Sequence, residues 1–192
     1  RGSENPKDRR AYEALRSSIR DFNFSANEQR KLSARSYVWS LVYGVMGIRT
    51  NGVRIEVTKK FLDIAQNTIN DINKYIKDKN TIPETRKSLE SKLPAIKKSL
   101  SDFEHKLEEL NYSYEKQREH YNKLLIDGRD YPSDLLLEQL AMVKQDIKGD
   151  DRFSVELSQC FMTAQKNLEL VVTKKENPTT IKRAELENYP KN

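Results

Sequence analysis

The chain has 192 residues, 36% hydrophobic and 33% charged, with only six glycines and six prolines. That balance argues against a compact sandwich or an α/β sheet and fits one all-α domain of long exposed helices around a narrow apolar stripe. The net charge of +6 is uneven: residues 1 to 60 hold thirteen Lys and Arg, nine of them Arg, against six Asp and Glu, while the remainder is nearly balanced.

The first letters, RGSENP, lack a methionine and read as a cloning remnant or unstructured lead of residues 1–5 on a fragment of a larger protein. Asn5-Pro6 is an N-cap with proline at the first helical position, and opens a helix to about Phe22. SANE, residues 25–28, matches a capping box and predicts a second helix. That helix carries residues 36–48, thirteen positions without a charge, among them Tyr37, Trp39, Tyr43 and Met46, with Arg30, Lys31 and Arg35 before it and Arg49 and Arg54 after it. A soluble helix that is apolar nearly all round must be contacted on several sides, so a core position is the first expectation.

At Asn51-Gly52 two readings compete. The pair suits a hairpin turn, because Val53, Ile55 and Val57 alternate with polar residues. Val53, Val57, Phe61, Ile64, Thr68, Ile72 and Tyr75 also follow helical spacing, with Ile69 and Ile76 extending the stripe. The preferred expectation is a helix over residues 53–79, with Gly52 as the left-handed residue closing its predecessor.

The strongest pattern follows. TIPE, residues 81–84, is another capping box and Gly128 a stop, so one helix is predicted over residues 82–127, kinked by Pro94. In it Leu89, Leu93, Ile96, Leu100, Phe103, Leu107, Leu110, Tyr114, Gln117, Tyr121 and Leu124 alternate steps of four and three, a heptad seam over five repeats. Parallel pairing with a second copy would set Lys92 against Lys97 and Lys106 against Asn111, with no attractive pair, so a parallel homodimer is disfavoured. After YPSD, residues 131–134, a helix carries Leu136, Leu140, Val143 and Ile147 and ends at Gly149. Another carries Phe153, Leu157, Cys160, Ala164, Leu168 and Val171. These two are expected to fold back along the long helix and cover its seam. The expected architecture is an elongated bundle of five or six helices around one long kinked, coiled-coil-like helix, spanning residues 6–176 as a single domain, with a frayed tail at 177–192.

The chemistry-bearing motifs are few. There is no phosphate loop, nucleophile elbow or paired metal-ligand spacing, so neither a cofactor nor a metal is expected and the chain reads as non-enzymatic. Cys160 lies on an apolar face and His105 and His120 on the solvated side of the heptad. One cysteine and no span of 18 to 20 apolar residues suggest a cytoplasmic or other reducing compartment. The expected role is a helical module that binds another protein through a few aromatics with an Arg-rich rim: Trp39 and Tyr43 with Arg30, Arg35, Arg49 and Arg54. Contact with an anionic membrane surface is the alternative, since the same cations could hold an apolar segment at headgroups. Nucleic acid is a further one, weakened by the acidic balance after residue 60.

Overall fold

Asn5 caps the first helix as its sequence requires: its side-chain Oδ1 accepts from the Lys7 N–H at 3.1 Å, and its carbonyl accepts from Arg9. The computed structural model describes residues 5–150, 152 and 155–174. Over them the chain forms α1 (Pro6–Lys77), α2 (Pro83–Asp127), a 3-10 turn (Gly128–Asp130), α3 (Ser133–Gly149) and α4 (Val155–Thr173), with no strand among the described residues. The protein is all-α. Four α-helices replace the expected five or six, because three predicted helices at the N-terminal side are one.

Two stop signals were overridden to make α1. Ser25 is not a cap, since no Gly or Pro stands between Phe22 and it to end the preceding turn, and the i→i−4 ladder runs on. At Asn51-Gly52 neither the hairpin nor the helix break occurs. Asn51 instead donates across to Gln117 Oε1 at 2.7 Å, and Gly52, helical and buried, lies under the Tyr114 ring. A glycine that tolerates a left-handed turn also tolerates a ring laid on its backbone. Thr81 likewise leaves its expected capping box, its hydroxyl donating back to the Tyr75 carbonyl at 2.6 Å. Arg86 Nη2 reaches the Asp78 carbonyl at 3.0 Å, so the connector between α1 and α2 satisfies carbonyls that the end of α1 leaves open.

The described residues gather into two compact units. One comprises Gly44–Leu124. In it the second part of α1 and most of α2 form an antiparallel helical hairpin. The pairs that touch fix its register: Gly44 with Tyr121, Gly47 with Gln117, Gly52 with Tyr114, and Phe61 with Phe103, whose ring centroids are 4.5 Å apart. As the α1 number rises the α2 number falls by about as much, which only an antiparallel pair produces. The heptad seam of α2 thus meets the helix before it in the chain, a partner that the spacing of α2 alone did not name. Val45, Ile48, Ile55, Ala65, Ile69 and Ile72 are the buried side of α1 here. The predicted stripe is mostly the other side: Val53, Val57, Phe61, Ile64 and Tyr75 are exposed.

The other unit joins the part of α1 up to Tyr43 with the chain from Leu125 onward. Leu136, Leu140, Val143 and Ile147 on α3 and Leu157, Cys160, Ala164, Leu168 and Val171 on α4 are buried as their spacing predicts, together with Ala34, Val38, Leu41 and Val42 on α1. Phe153 and the tail at 177–192 lie outside the described residues. Tyr37 organises the junction: its hydroxyl donates to the Leu125 carbonyl at 3.2 Å and its ring stacks on Tyr131, centroids 5.2 Å apart. Gly128 is needed there, because a β-carbon would sit 2.9 Å from the Tyr37 hydroxyl and 2.8 Å from Leu168 Cδ1. Burial, and then the Asp127 carboxylate, push the Tyr37 hydroxyl far above the ordinary phenol range.

Candidate interaction surface

The six residues named from sequence fall into four environments. Trp39 and Tyr43, one turn apart on α1, stack with centroids 5.7 Å apart; Trp39 is half-buried and Tyr43 exposed. Arg35 turns inward, its Nε donating to Gln139 Oε1 at 2.9 Å and its Nη2 lying 3.1 Å from Met142 Sδ. Its guanidinium supports a fully buried glutamine. Arg30 is exposed and lines a shallow groove with Phe24, Lys31, Pro132 and Leu135. Arg49 and Arg54 belong to the hairpin unit, Arg49 buried and Arg54 exposed. Residues 36–48 are therefore core at Tyr37, Val38, Leu41, Val42, Val45 and Ile48, and open at Tyr43.

The surface that sequence reasoning missed lies before them. Tyr12, Leu15, Ile19 and Phe22 stand 52% to 72% exposed on α1. Their spacing of three, four and three puts them on one line of the helix, the a and d positions of a heptad. Continued by sevens, the line through Tyr12 and Ile19 reaches Ala26, which is half-buried, and then Ser33, whose hydroxyl lies 3.2 Å from the Tyr131 hydroxyl. The parallel line through Arg9, Arg16, Asn23 and Arg30 reaches Tyr37, stacked on Tyr131. The face that meets Tyr131 at Ser33 and Tyr37 thus extends toward the N-terminus to Tyr12, and its large apolar side chains from Tyr12 to Phe22 are exposed. The spacing was visible in the sequence; its exposure was not, because a/d spacing reads alike in a core and on a surface.

Beside this line the helix is asymmetric. On one side, at seven-residue intervals, stand Arg9, Arg16 and Arg30, interrupted by Asn23; on the other stand Ala11, Ser18 and Ser25. Arg9 pairs with Glu13 at 3.5 Å, an exposed contact between largely solvated groups that a competing carboxylate can replace. In the hairpin unit, Val53, Val57, Phe61 and Ile64 make a second exposed stripe, with Phe103 against it.

Among the described residues no group of three or more His, Cys, Asp or Glu is placed to hold a metal ion, and no helix is long and apolar enough to cross a membrane. Cys160 is buried. Compared with protein-family models, with curated proteins and with solved structures, the chain finds no match in any of the three.

Proposed function

We propose that this protein is a non-enzymatic helical module that binds another protein, and that the first turns of α1 carry its principal binding face. The observation behind this reading is the exposed line of Tyr12, Leu15, Ile19 and Phe22. Four large apolar side chains in register on one helix face cost solubility and contribute nothing to the interior they leave. Monomeric soluble proteins rarely keep such contiguous patches unless a partner covers them. Tyr and Arg at the margin suit an interface, where flat rings and guanidinium groups bury area at low entropic cost. The groove lined by Phe24, Arg30 and Leu135 lies on a different face of α1, where that helix meets the start of α3, and the Trp39–Tyr43 pair offers a second aromatic anchor further along the helix.

Site-specific photocrosslinking tests the reading. A photoreactive residue at Ile19 should give a discrete adduct in cells expressing the full chain, and one at Ser17, on the opposite helix face, should not. Equal adducts from the two positions, or none from either, would remove α1's first turns as the binding face.

A further inference from the structure

Resting on the reading of the N-terminal line as a protein-binding face, we infer that its occupant is an amphipathic helix of another protein whose flank carries carboxylates at seven-residue spacing, which pair with Arg9, Arg16 and Arg30 as its apolar seam covers Tyr12, Leu15, Ile19 and Phe22. Three features of the face lead to this occupant. The first is its width. The face itself is apolar at a and d; the neighbouring position on one side is Arg, Arg, Asn, Arg and on the other Ala, Ser, Ser, while Phe24, 66% exposed, lies on the opposite side of the helix. A seam that narrow is matched by one other helix, whereas a helix that lies in a membrane surface presents a broad apolar sector. The four apolar side chains here are also interrupted at the next d position by Asp8.

The second feature is the sign of the flank. Paired antiparallel with its own copy, the face would set its arginine line against the same arginines. Paired parallel, it would set Ala11, Ser18 and Ser25 against Arg16, Asn23 and Arg30, with no ion pair at all. A second copy is therefore a poor occupant in either orientation. A carboxylate at the facing position completes a guanidinium–carboxylate pair in each repeat that holds an arginine, and the planar fork favours that geometry over a lone lysine contact.

The third is continuity. The a-position line runs on into Ser33, whose hydroxyl meets that of Tyr131, and the arginine line into Tyr37, which is buried and stacked on Tyr131 within this chain. An incoming helix would extend an existing helix-packing face, and the small side chains at Ala11, Ser18 and Ser25 allow it close approach. Leu15 and Ile19 are 59% and 52% exposed, so variants here should keep the fold.

The test uses the full chain and two synthetic four-heptad peptides with Leu at a and d, one with Glu at e and g and its twin with Lys there, followed by fluorescence anisotropy at low salt. The acidic peptide should bind about tenfold more tightly than its twin, as three exposed ion pairs allow. The triple variant Arg9→Glu, Arg16→Glu, Arg30→Glu should reverse that preference, with an unchanged circular dichroism spectrum. Equal binding of the two peptides overturns the charge assignment. The double variant Leu15→Asp, Ile19→Asp separates the two levels: if it abolishes binding, the face stands even where charge selection fails, and if it leaves binding intact, the proposed binding face itself falls. Capture of phosphatidylcholine–phosphatidylserine vesicles with neither peptide bound, or self-association in sedimentation that the double variant removes, overturns the helical-partner inference in favour of a membrane or a second copy.

Discussion

The two units use the same helices in opposite ways. The unit containing α3 and α4 surrounds its core on several sides, so that Leu41, Leu125, Leu136, Leu140 and Leu168 are essentially inaccessible and even a polar residue, Gln139, is completely enclosed. The hairpin unit has two helices and therefore one seam; Leu89, Leu93, Ile96, Leu100 and Leu107 on α2 are only half-buried, and a whole apolar line of α1 faces solvent. Two helices bury one stripe each, whereas a third layer encloses the remaining faces. The same residue type should then carry different weight in each unit. Leu140→Ala should cost about 2 to 5 kcal/mol through lost burial and a residual cavity, seen as a lower melting temperature and faster hydrogen exchange in α3 and α4. Ile64→Ala on the exposed line, 63% accessible, should change stability by less than about 0.5 kcal/mol. A large loss at Ile64 would break the contrast, since it would mean that something covers that line in solution.

Close backbone approach is where the hairpin is as demanding as the other unit. A β-carbon at Gly44 would lie 2.8 and 2.9 Å from two carbons of the Tyr121 ring. That ring is buried and has no free end to swing away, so the helices must separate. Gly44→Ala should destabilise by about 1 to 3 kcal/mol despite alanine's better helix propensity, measured by thermal or urea unfolding. Gly47→Ala should cost less, because the atom in the way is the movable amide of Gln117.

Sequence made part of this legible, and the physical reasons differ by element. The N-cap at Asn5, the extent of α2 and the buried faces of α3 and α4 follow from local chemistry: a proline at the first turn, a glycine after the last, and one apolar stripe per helix. Gly128 adds a tight contact to its role as a stop. The long α1 defeated the same rules because it carries two apolar stripes in its second part, and spacing alone does not say which one meets α2. Ile55, Ala65 and Ile69 were buried while Val57, Phe61 and Ile64, larger on average and equally periodic, were left outside. Cap signals failed for a related reason. Ser25 and Asn51 can end a helix but do not forbid its continuation, and Asn51 found a better partner in Gln117. Of the candidate site, Arg30, Arg54 and Tyr43 are exposed, whereas Arg35 and Arg49 are drawn inward; a count of arginines near an apolar run does not say on which side of the helix each one falls.

High pH offers a smaller test confined to the α3–α4 unit. The Tyr37 hydroxyl is held protonated by burial and by Asp127. In the unfolded chain it ionises near pH 10, so above that pH the unfolded state binds fewer protons than the folded one and stability falls as pH rises. Tyr37→Phe should cost about 1 kcal/mol at neutral pH through the lost hydrogen bond to Leu125, yet flatten the loss of stability above pH 10, measured by urea unfolding across the alkaline range. At the acid end Arg152 hydrogen-bonds Asp150 and holds its carboxyl down to about 2. That pair's contribution is present above the usual carboxylate range and disappears as pH falls toward 2, and because Arg152 is exposed at the surface, Arg152→Ala should leave the melting temperature near neutral pH almost unchanged.

Gly52 gives the finest discrimination between a turn signal and a packing position. Had Asn51-Gly52 formed a turn or a left-handed helix end, a β-carbon at Gly52 would be strained and Gly52→Ala would destabilise. Within a continuous α1 the new methyl meets the Tyr114 ring at 3.6 Å, an ordinary contact. Alanine then reduces the freedom of the unfolded chain and improves helix propensity without a clash. Gly52→Ala should therefore raise stability by about 0.5 to 1 kcal/mol, opposite in sign to Gly44→Ala two turns earlier on the same helix. A destabilised Gly52→Ala protein would show that the hairpin unit tolerates no added carbon along this seam, and that its register is held by glycine at each point where α1 crosses a tyrosine of α2.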